Sequence, residues 1–415
     1  MRSVQATLRI LILTQWYPPE PALLLQELAQ TLLARGHDVT VLTGFPNYPS
    51  GKLYPGYCVR LRQREVLDGV PVVRVPLYPE HSRSGAGRVL NYVSFALSSA
   101  LLGPWLTKRP DVIFVYHPPL TIGLTAVLLS RLWRVPFVYQ IQDMWPESLR
   151  ASGMLNSERI LGWVDSFAHA VYQWAAAICA ISRGFRANLI AKGVPLEKIH
   201  EVSNWVDPGV YQPVARDTDL AARLGTKNKF NIMFAGNVGV GQGLDTLVEA
   251  ATVLQDLHDV QFVIVGDGVT LPGLKKAVET RHLDNIRFLG HHAPQEMPAI
   301  YTLADVLLIH LKDDPLLRTT IPHKTFAYMG SGKPVLAAVA GDAADVITEA
   351  GAGLTCPPGN PLALALKVRE FVGMSADQRQ TMAMNGLKAI HSRYSKKALV
   401  GEIERVLLSV ANLDR

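Results

Sequence analysis

"FNIMFAGNVGVGQGLDTLVEAA", residues 230–251, changes character twice. It opens as a short, unbroken apolar run, the pattern of a strand covered on both faces of a parallel sheet. It closes with apolar residues three and four apart, the pattern of a helix. Between the two lie Gly236, Gly239, Gly241 and Gly243. A glycine-rich strand-to-helix turn brings backbone amides close to a helix N-terminus, where an anion is favoured. The spacing is not G-x-G-x-x-G, and no Gly-Lys-Ser/Thr follows, so this is neither the dinucleotide fingerprint nor a P-loop. A turn that merely connects strand to helix would leave the same glycines.

The chain begins with the same grammar: a strand "LRILILT", a loop "QWYPPEP", a helix "ALLLQELAQTLLARG" and a strand "HDVTVLTG". Such units form right-handed crossovers. They continue with "PDVIFVYHPP" (110–119), "PFVYQIQDMW" (136–145) and "AAAICAIS" (175–182), and after the glycine turn with "VQFVIVGDG", "IRFLGHH", "ADVLLIHL" and "KPVLAAVAG". The expectation is an α/β chain of two doubly wound, Rossmann-like domains, residues 1–206 and 207–390, facing each other across a cleft. The amphipathic pattern at the end marks a helix within 391–415 that can pack back on the first domain. Ligands of doubly wound sheets sit beyond the carboxyl ends of the strands, so a two-substrate transferase could hold one substrate on each domain.

With 415 residues, 48% of them hydrophobic and 18% charged, the chain can bury two cores. Its formal charge of +6 suggests anionic partners without choosing among them. Cys58, Cys179 and Cys356 have no metal-binding spacing and fit free thiols in a reducing cytoplasm. No secretory signal or transmembrane helix is expected, although residues 89–106 are strongly apolar. No Asp-x-Asp pair in a strand-end setting and no His/Cys cluster suggests a metal. His117 and Asp143 end adjacent predicted strands, with Glu147 close behind. An imidazole and a carboxylate so placed could orient and deprotonate an acceptor hydroxyl. Glu147 could instead cap a helix starting near Ser148.

Taken together, "YPPEP", "ARGHDVTVLTGFPNYPSGK", "QIQDMWPESL", "AISRGFRANLIAKGVPLEKIHEVSNWVD", the glycine turn, "FVIVGDGVTLPGLK", "IRFLGHHAPQEMPAIYTLADVLLIHL" and "IPHKTFAYMGSGKPVLA" resemble the retaining GT-B glycosyltransferases of family 4. The similarity is to the branch that builds bacterial surface polysaccharides, such as colanic acid and O-antigen. It implies sugar transfer from a nucleotide-sugar, with UDP favoured, to a saccharide on a polyprenyl diphosphate lipid. The nucleotide-sugar is a substrate, no cofactor or metal is implied, and nucleic acid is not a partner.

The resemblance also implies roles. Gly236, Asn237, Gly239, Gln242 and Gly243 would lie beside the donor diphosphate. Many relatives carry Arg and Lys in place of Asn237 and Gln242, so Lys324 and Arg318 are the candidates to supply positive charge. Gly266 and Asp267 would approach the ribose and base, and the stretch 285–290 with Arg287 would read the base. Asn47, Tyr48 and Lys52 would border the acceptor. The family's Glu-x7-Glu pair falls on Thr319 and Ala327, and the absence of the second Glu, which binds ribose hydroxyls, is unexpected. Thr325 or His323 could have taken over that role. A GT-B epimerase and a non-catalytic nucleotide-sugar binder are the other readings. Finally, Arg60, Arg62, Arg64, Arg83 and Arg88 beside the apolar stretch 89–106 suggest an enzyme held at the anionic inner face of the cell membrane.

Overall fold

The apolar runs form strands wherever both sheet faces are covered. The computed structural model describes residues 7–80, 85–151, 155 and 157–413; Arg83 lies outside them. The chain divides into two units, Met1–Ser203 with Leu399–Arg415, and Asn204–Ala398.

The first unit holds β1 (Arg9–Leu13), β2 (Asp38–Gly44), β3 (Gln63–Leu67), β4 (Val70–Val75), β5 (Val112–His117), β6 (Phe137–Ile141), β7 (Ala177–Ala180) and β8 (Ile199–Glu201). Their order is β3-β4-β2-β1-β5-β6-β7-β8. All neighbours are parallel except β3 and β4. Those two form an edge hairpin whose turn uses Asp68 and Gly69 at φ 50° and 82°, the left-handed pair of a type I′ turn. Arg74 of β4 is fully buried, and each of its three guanidinium nitrogens has a partner. It donates to the carbonyls of Gly44 at 2.8 Å and Pro18 at 2.5 Å, and to Glu65 at 2.5 Å.

The second unit holds β9 (Phe230–Ala235), β10 (Val260–Val265), β11 (Ile286–Gly290), β12 (Val306–His310), β13 (Val335–Ala338) and β14 (Gly353–Cys356). The order is β11-β10-β9-β12-β13-β14, all parallel. An apolar layer covers each face. Ile232, Phe234 and Ile264 enter one layer; Met233, Ala235 and Val263 enter the other. That is why these strands read as unbroken apolar runs. The sheet reverses direction between β9 and β12, the switch point where such folds bind ligands.

Two boundaries differ from expectation. The division falls at 203/204 rather than 206/207, because Trp205 is buried and Val206 packs in the second unit's core. Val206 also pairs with Ser395, which keeps the chain up to Ala398 in the second unit. From Leu399 the last helix, Lys396–Leu413, belongs to the first unit. There Glu404 is buried and accepts from Arg35 at 2.5 Å and His37 Nε2 at 2.9 Å. The Leu8 N–H donates to His37 Nδ1 at 3.2 Å, which fixes the tautomer with its proton toward Glu404.

The apolar helix Gly85–Leu106 is long and apolar enough to cross a membrane by length and composition. One face nevertheless packs on the sheet through Tyr92, Phe95, Ala96 and Gly103.

Candidate functional site

At the carboxyl ends of β9 and β10 the second unit has a cavity of about 430 Å³. Its floor is the backbone of Ala235–Asn237 and Val265–Asp267. These two strand ends nearly touch. Gly236 and Gly266 adopt φ of 132° and 128°, and a Cβ on Gly266 would collide with the Gly236 carbonyl oxygen. Glycine is the residue that permits both the conformation and the approach. β12 pairs with β9 only at Ile232 and Met233. Beyond that point the Tyr328 hydroxyl replaces the missing strand, accepting from the Ala235 N–H and donating to its carbonyl, both at 2.9 Å.

Into this cavity comes Lys324, at the start of the helix His323–Gly330. Its Nζ lies 3.8 Å over the Phe234 ring, beside Gly236, and has no hydrogen-bond partner. Burial pushes its pKa down to about 7. A desolvated ammonium with free donors, at a helix N-terminus, is a site waiting for an anion. Part of the lining is aromatic: Tyr211 stacks on Tyr301 at 6.4 Å and meets His323 edge-on at 6.3 Å. Ala327, His291, His292 and Met297 complete it.

The cavity gathers Gly236, Asn237, Gly266, Asp267, Lys324 and Ala327 from the expected donor residues. The others lie elsewhere, for identifiable reasons. The rest of the glycine turn is occupied with its own closure. Gln242 Oε1 accepts from the Gly239 N–H at 3.2 Å, and the Gln242 carbonyl accepts from His310 Nδ1 at 2.6 Å. Gly243 packs against Lys312, and the Lys312 N–H bonds the Gly241 carbonyl at 2.9 Å. Arg318 is not a free cation, since its fork holds Asp313 at 2.8 and 3.0 Å in an exposed pair. Thr319 donates to the Leu316 carbonyl at 2.8 Å. Thr325 is buried with its hydroxyl unpartnered, outside the cavity lining. Arg287 sits early in β11 with its guanidinium against Gly225, so the cavity takes the residues after that strand, His291 and His292. "GHH" directly after an apolar run was the available signal, because loops after strands face the ligand in this architecture.

In the first unit Trp145 links two of the three expected catalytic residues. Its Nε1 donates to Asp143 Oδ2 at 3.3 Å, and its ring meets His117 edge-on at 5.8 Å. Burial raises the Asp143 pKa, opposed by hydrogen-bond donors from the Ser148 and Trp145 side chains and the Met144 backbone. His117 is buried with both ring nitrogens unpartnered, and burial lowers its pKa to about 3. It is therefore a neutral imidazole, suited to a hydrogen bond rather than to holding a proton. Glu147 is otherwise engaged, in an ion pair with Lys192 at 3.0 Å and a bond from Asn188 at 3.2 Å.

The loop after β2 has an organiser that sequence reasoning passed over. Glu20, from "YPPEP", is buried and accepts from the N–H groups of Asn47 and Tyr48 at 2.9 Å and Tyr17 at 3.1 Å. Burial lifts its pKa to about 7 against those donors. Asn47 is thereby buried, and Tyr48 stacks on Trp16 at 4.6 Å. Lys52 is exposed. Among the described residues no group of three or more His, Cys, Asp or Glu could hold a metal ion.

Two family descriptions match consecutive parts of the chain. "Glycosyl transferase 4-like domain" matches residues 22–205, and "Glycosyl transferases group 1" matches residues 229–373. The chain belongs to the family 4 glycosyltransferases of the GT-B fold. The enzyme is 28% identical over 400 residues to WcaI of Escherichia coli (strain K12), a glycosyl transferase assigned to colanic acid biosynthesis, covering 93% of this chain and 94% of WcaI. It is 27% identical over 366 residues to a GDP-mannose-dependent alpha-mannosyltransferase of Mycobacterium tuberculosis (strain CDC 1551 / Oshkosh), covering 86% and 84% of the two chains. In structure it is similar to Anabaena HepE in complex with UDP, at a TM-score of 0.71 and 19% identity, over 97% of this chain and 100% of HepE.

Proposed function

We propose that this glycosyltransferase moves a hexosyl or N-acetylhexosaminyl group from a UDP-sugar to a saccharide carried on a polyprenyl diphosphate lipid, with retention of configuration, in surface polysaccharide synthesis. The observation that carries the donor half is Lys324, an unpartnered ammonium buried beside Gly236 at the switch point of the second sheet. A diphosphate would supply the missing charge, and the aromatic wall of Tyr211 and Tyr301 would face a flat base. The choice of UDP leans on the HepE complexes, and the lipid-linked acceptor on the colanic acid relative. In this reading the enzyme works in the cytoplasm, at the inner face of the cell membrane.

In the reaction the acceptor oxygen bonds to the anomeric carbon on the face from which the diphosphate leaves. The anomeric C–O bond breaks with its electron pair going to the diphosphate. The acceptor proton goes to the departing phosphate oxygen. Lys324 stabilises the charge that develops there. Asp143 orients the acceptor hydroxyl and His117 offers a neutral hydrogen bond. No resident cofactor or metal takes part.

Calorimetry with UDP, GDP and ADP tests the donor half, and the anomeric coupling constant of the product tests retention. UDP should bind most tightly. Tighter GDP binding overturns the choice of base, and no binding by any of the three overturns the donor assignment.

A further inference from the structure

The second unit starts at Asn204, and its first turn ends in the donor cavity. Val206 pairs with Ser395 and donates its N–H to the Tyr394 carbonyl at 3.3 Å, so the start of this unit lies against its end. Asp207 then closes a turn. Its carbonyl accepts from the N–H groups of Val210 and Tyr211, both at 3.0 Å, and its Oδ1 accepts from the Gly209 N–H at 2.8 Å. Its Oδ2 accepts from the ammonium of Lys396, the first residue of the last helix, at 2.6 Å. The Lys396 ammonium, against burial and with the Gly209 donor, holds the Asp207 carboxyl below its usual pKa. Gly209 and Val210 are exposed, so polar bonds rather than packing set the shape of this turn.

The turn delivers one side chain to the cavity, Tyr211. Its ring is half-buried and stacks on Tyr301 at 6.4 Å. Tyr301 in turn meets Tyr328 edge-on at 5.3 Å, and Tyr328 is the phenol that holds both backbone groups of Ala235 beside Gly236. The backbone of Tyr211 is seated on Gly330, the last residue of the helix that presents Lys324. A Cβ on Gly330 would lie 3.1 Å from the Tyr211 Cβ and carbonyl oxygen. Pro213 is seated likewise on Gly332, where a Cβ would come within 2.7 Å of its ring. Tyr211 is therefore fixed from two sides, by the glycines beneath it and by the Asp207 turn before it.

We propose that Asp207 and Lys396 are positioning residues of the donor site, whose ion pair holds Tyr211 where it stacks on the nucleobase. The proposal rests on the reading above, in which the cavity takes a nucleoside diphosphate. Neither Asp207 nor Lys396 lines the cavity, so each acts through Tyr211 rather than on the nucleotide. A base stacked on an aromatic ring gains about tenfold in affinity. The gain is largest when the ring is already in place, because binding then does not have to order it. Without the ion pair the exposed turn would be free to sample other shapes, and the ordering of Tyr211 would fall on the binding step. Ala327 makes this contribution matter more, since no carboxylate stands at that position to hold the nucleotide.

Calorimetry of the full chain with UDP and with inorganic pyrophosphate, which has no base, tests the assignment. Tyr211→Ala should weaken UDP by about tenfold and leave pyrophosphate within about twofold. Lys396→Met should weaken UDP by roughly three- to fivefold, and Lys396→Arg should keep the wild-type value. Asp207→Asn keeps an acceptor for the Gly209 N–H and loses the charge, so it should match Lys396→Met. None of these variants should change pyrophosphate binding. In a Tyr211→Ala background Lys396→Met should cost nothing further, because the ring that it positions is gone. UDP affinity untouched by Tyr211→Ala, or by both Lys396→Met and Asp207→Asn, overturns the proposal. So does a Lys396→Met loss that persists in full without Tyr211 or falls equally on pyrophosphate, which would make the ion pair a structural tie alone. UDP binding by the wild type with any of these outcomes refutes only the positioning role. No UDP binding by the wild type refutes the donor assignment and this proposal with it.

Discussion

Lys324→Met should make the protein more stable and a poorer nucleotide binder at once. Burial brings this ammonium from the usual 10.5 to about 7. At about 1.4 kcal/mol per tenfold change, that offset caps the cost of folding over a charged Lys324 at about 5 kcal/mol well below pH 7. Relaxation and water entry shrink the realised value, so a gain of roughly 1–3 kcal/mol on replacement is expected. Methionine keeps the stem and can contact the Phe234 ring through sulfur. The gain has a pH signature. An unfolded lysine keeps its proton up to about pH 10, whereas the folded one loses it near 7. Between those values the unfolded chain holds more protons, so wild-type stability rises with pH while this contribution is absent from the variant. A bound diphosphate reverses the balance by restoring the charged form. Wild-type UDP affinity should then fall above pH 7 by up to about tenfold per pH unit, with proton uptake on binding. Loss of a charge-assisted bond, about 1.5–3 kcal/mol, predicts a Kd roughly 10- to 150-fold weaker in the variant. Thermal denaturation from pH 6 to 9 measures the first effect. Calorimetry in two buffers of different ionisation enthalpy measures the second. A variant that is less stable, binds UDP equally well and shows no difference in proton uptake would refute this account of Lys324.

Ala327→Glu should tighten UDP by about tenfold and leave 2′-deoxy-UDP unchanged, because Ala327 lines the cavity where the family's second Glu falls; calorimetry that finds equal or weaker UDP binding would show that position 327 is not the ribose-binding slot. Asp143→Asn and His117→Ala should lower transfer by about 10²–10⁴-fold while UDP binding stays intact, since both residues lie in the first unit; unchanged turnover in both removes them from the reaction. Tyr328→Phe should cost about 2 kcal/mol in urea denaturation, because it strands the Ala235 N–H and carbonyl together; a cost near zero would mean that β9 does not depend on the phenol.

Much of the architecture was legible because burial on both faces leaves a simple trace. Residues such as Ile232 and Met233 enter opposite apolar layers, so β9 and β10 carry no alternation to misread. The edge hairpin of β3 and β4 was missed, although Asp68-Gly69 between alternating runs is a strong turn signal. In "RLRQREVL" three arginines interrupt the apolar alternation that would mark a strand. The buried Arg74 and Glu404 were not legible at all. Their partners, Pro18 and Gly44 for one and Arg35 and His37 for the other, come together only when distant segments pack.

The two candidate cations of the donor site show where legibility ends and how it could be extended. Arg318 and Lys324 are six positions apart, and both are candidates to meet a diphosphate, with Lys324 favoured by its place between a proline turn and a helix start. The structure separates them by competition. Asp313, five residues before Arg318, captures its guanidinium in a local fork. From Pro315 to Gly341 the chain contains no Asp or Glu, so no carboxylate near in sequence can reach Lys324. Its ammonium is buried over Phe234 and left without a partner. An unpaired buried charge is costly to keep, and a fold retains one where a ligand of opposite charge offsets the cost. Neither candidate carboxylate of the first unit is left so bare, since Lys192 and Asn188 claim Glu147 Oε1 and donors from Ser148, Trp145 and Met144 meet Asp143. For Lys324 the absence of a near partner is written in the neighbouring sequence itself, where no acidic residue falls between Pro315 and Gly341.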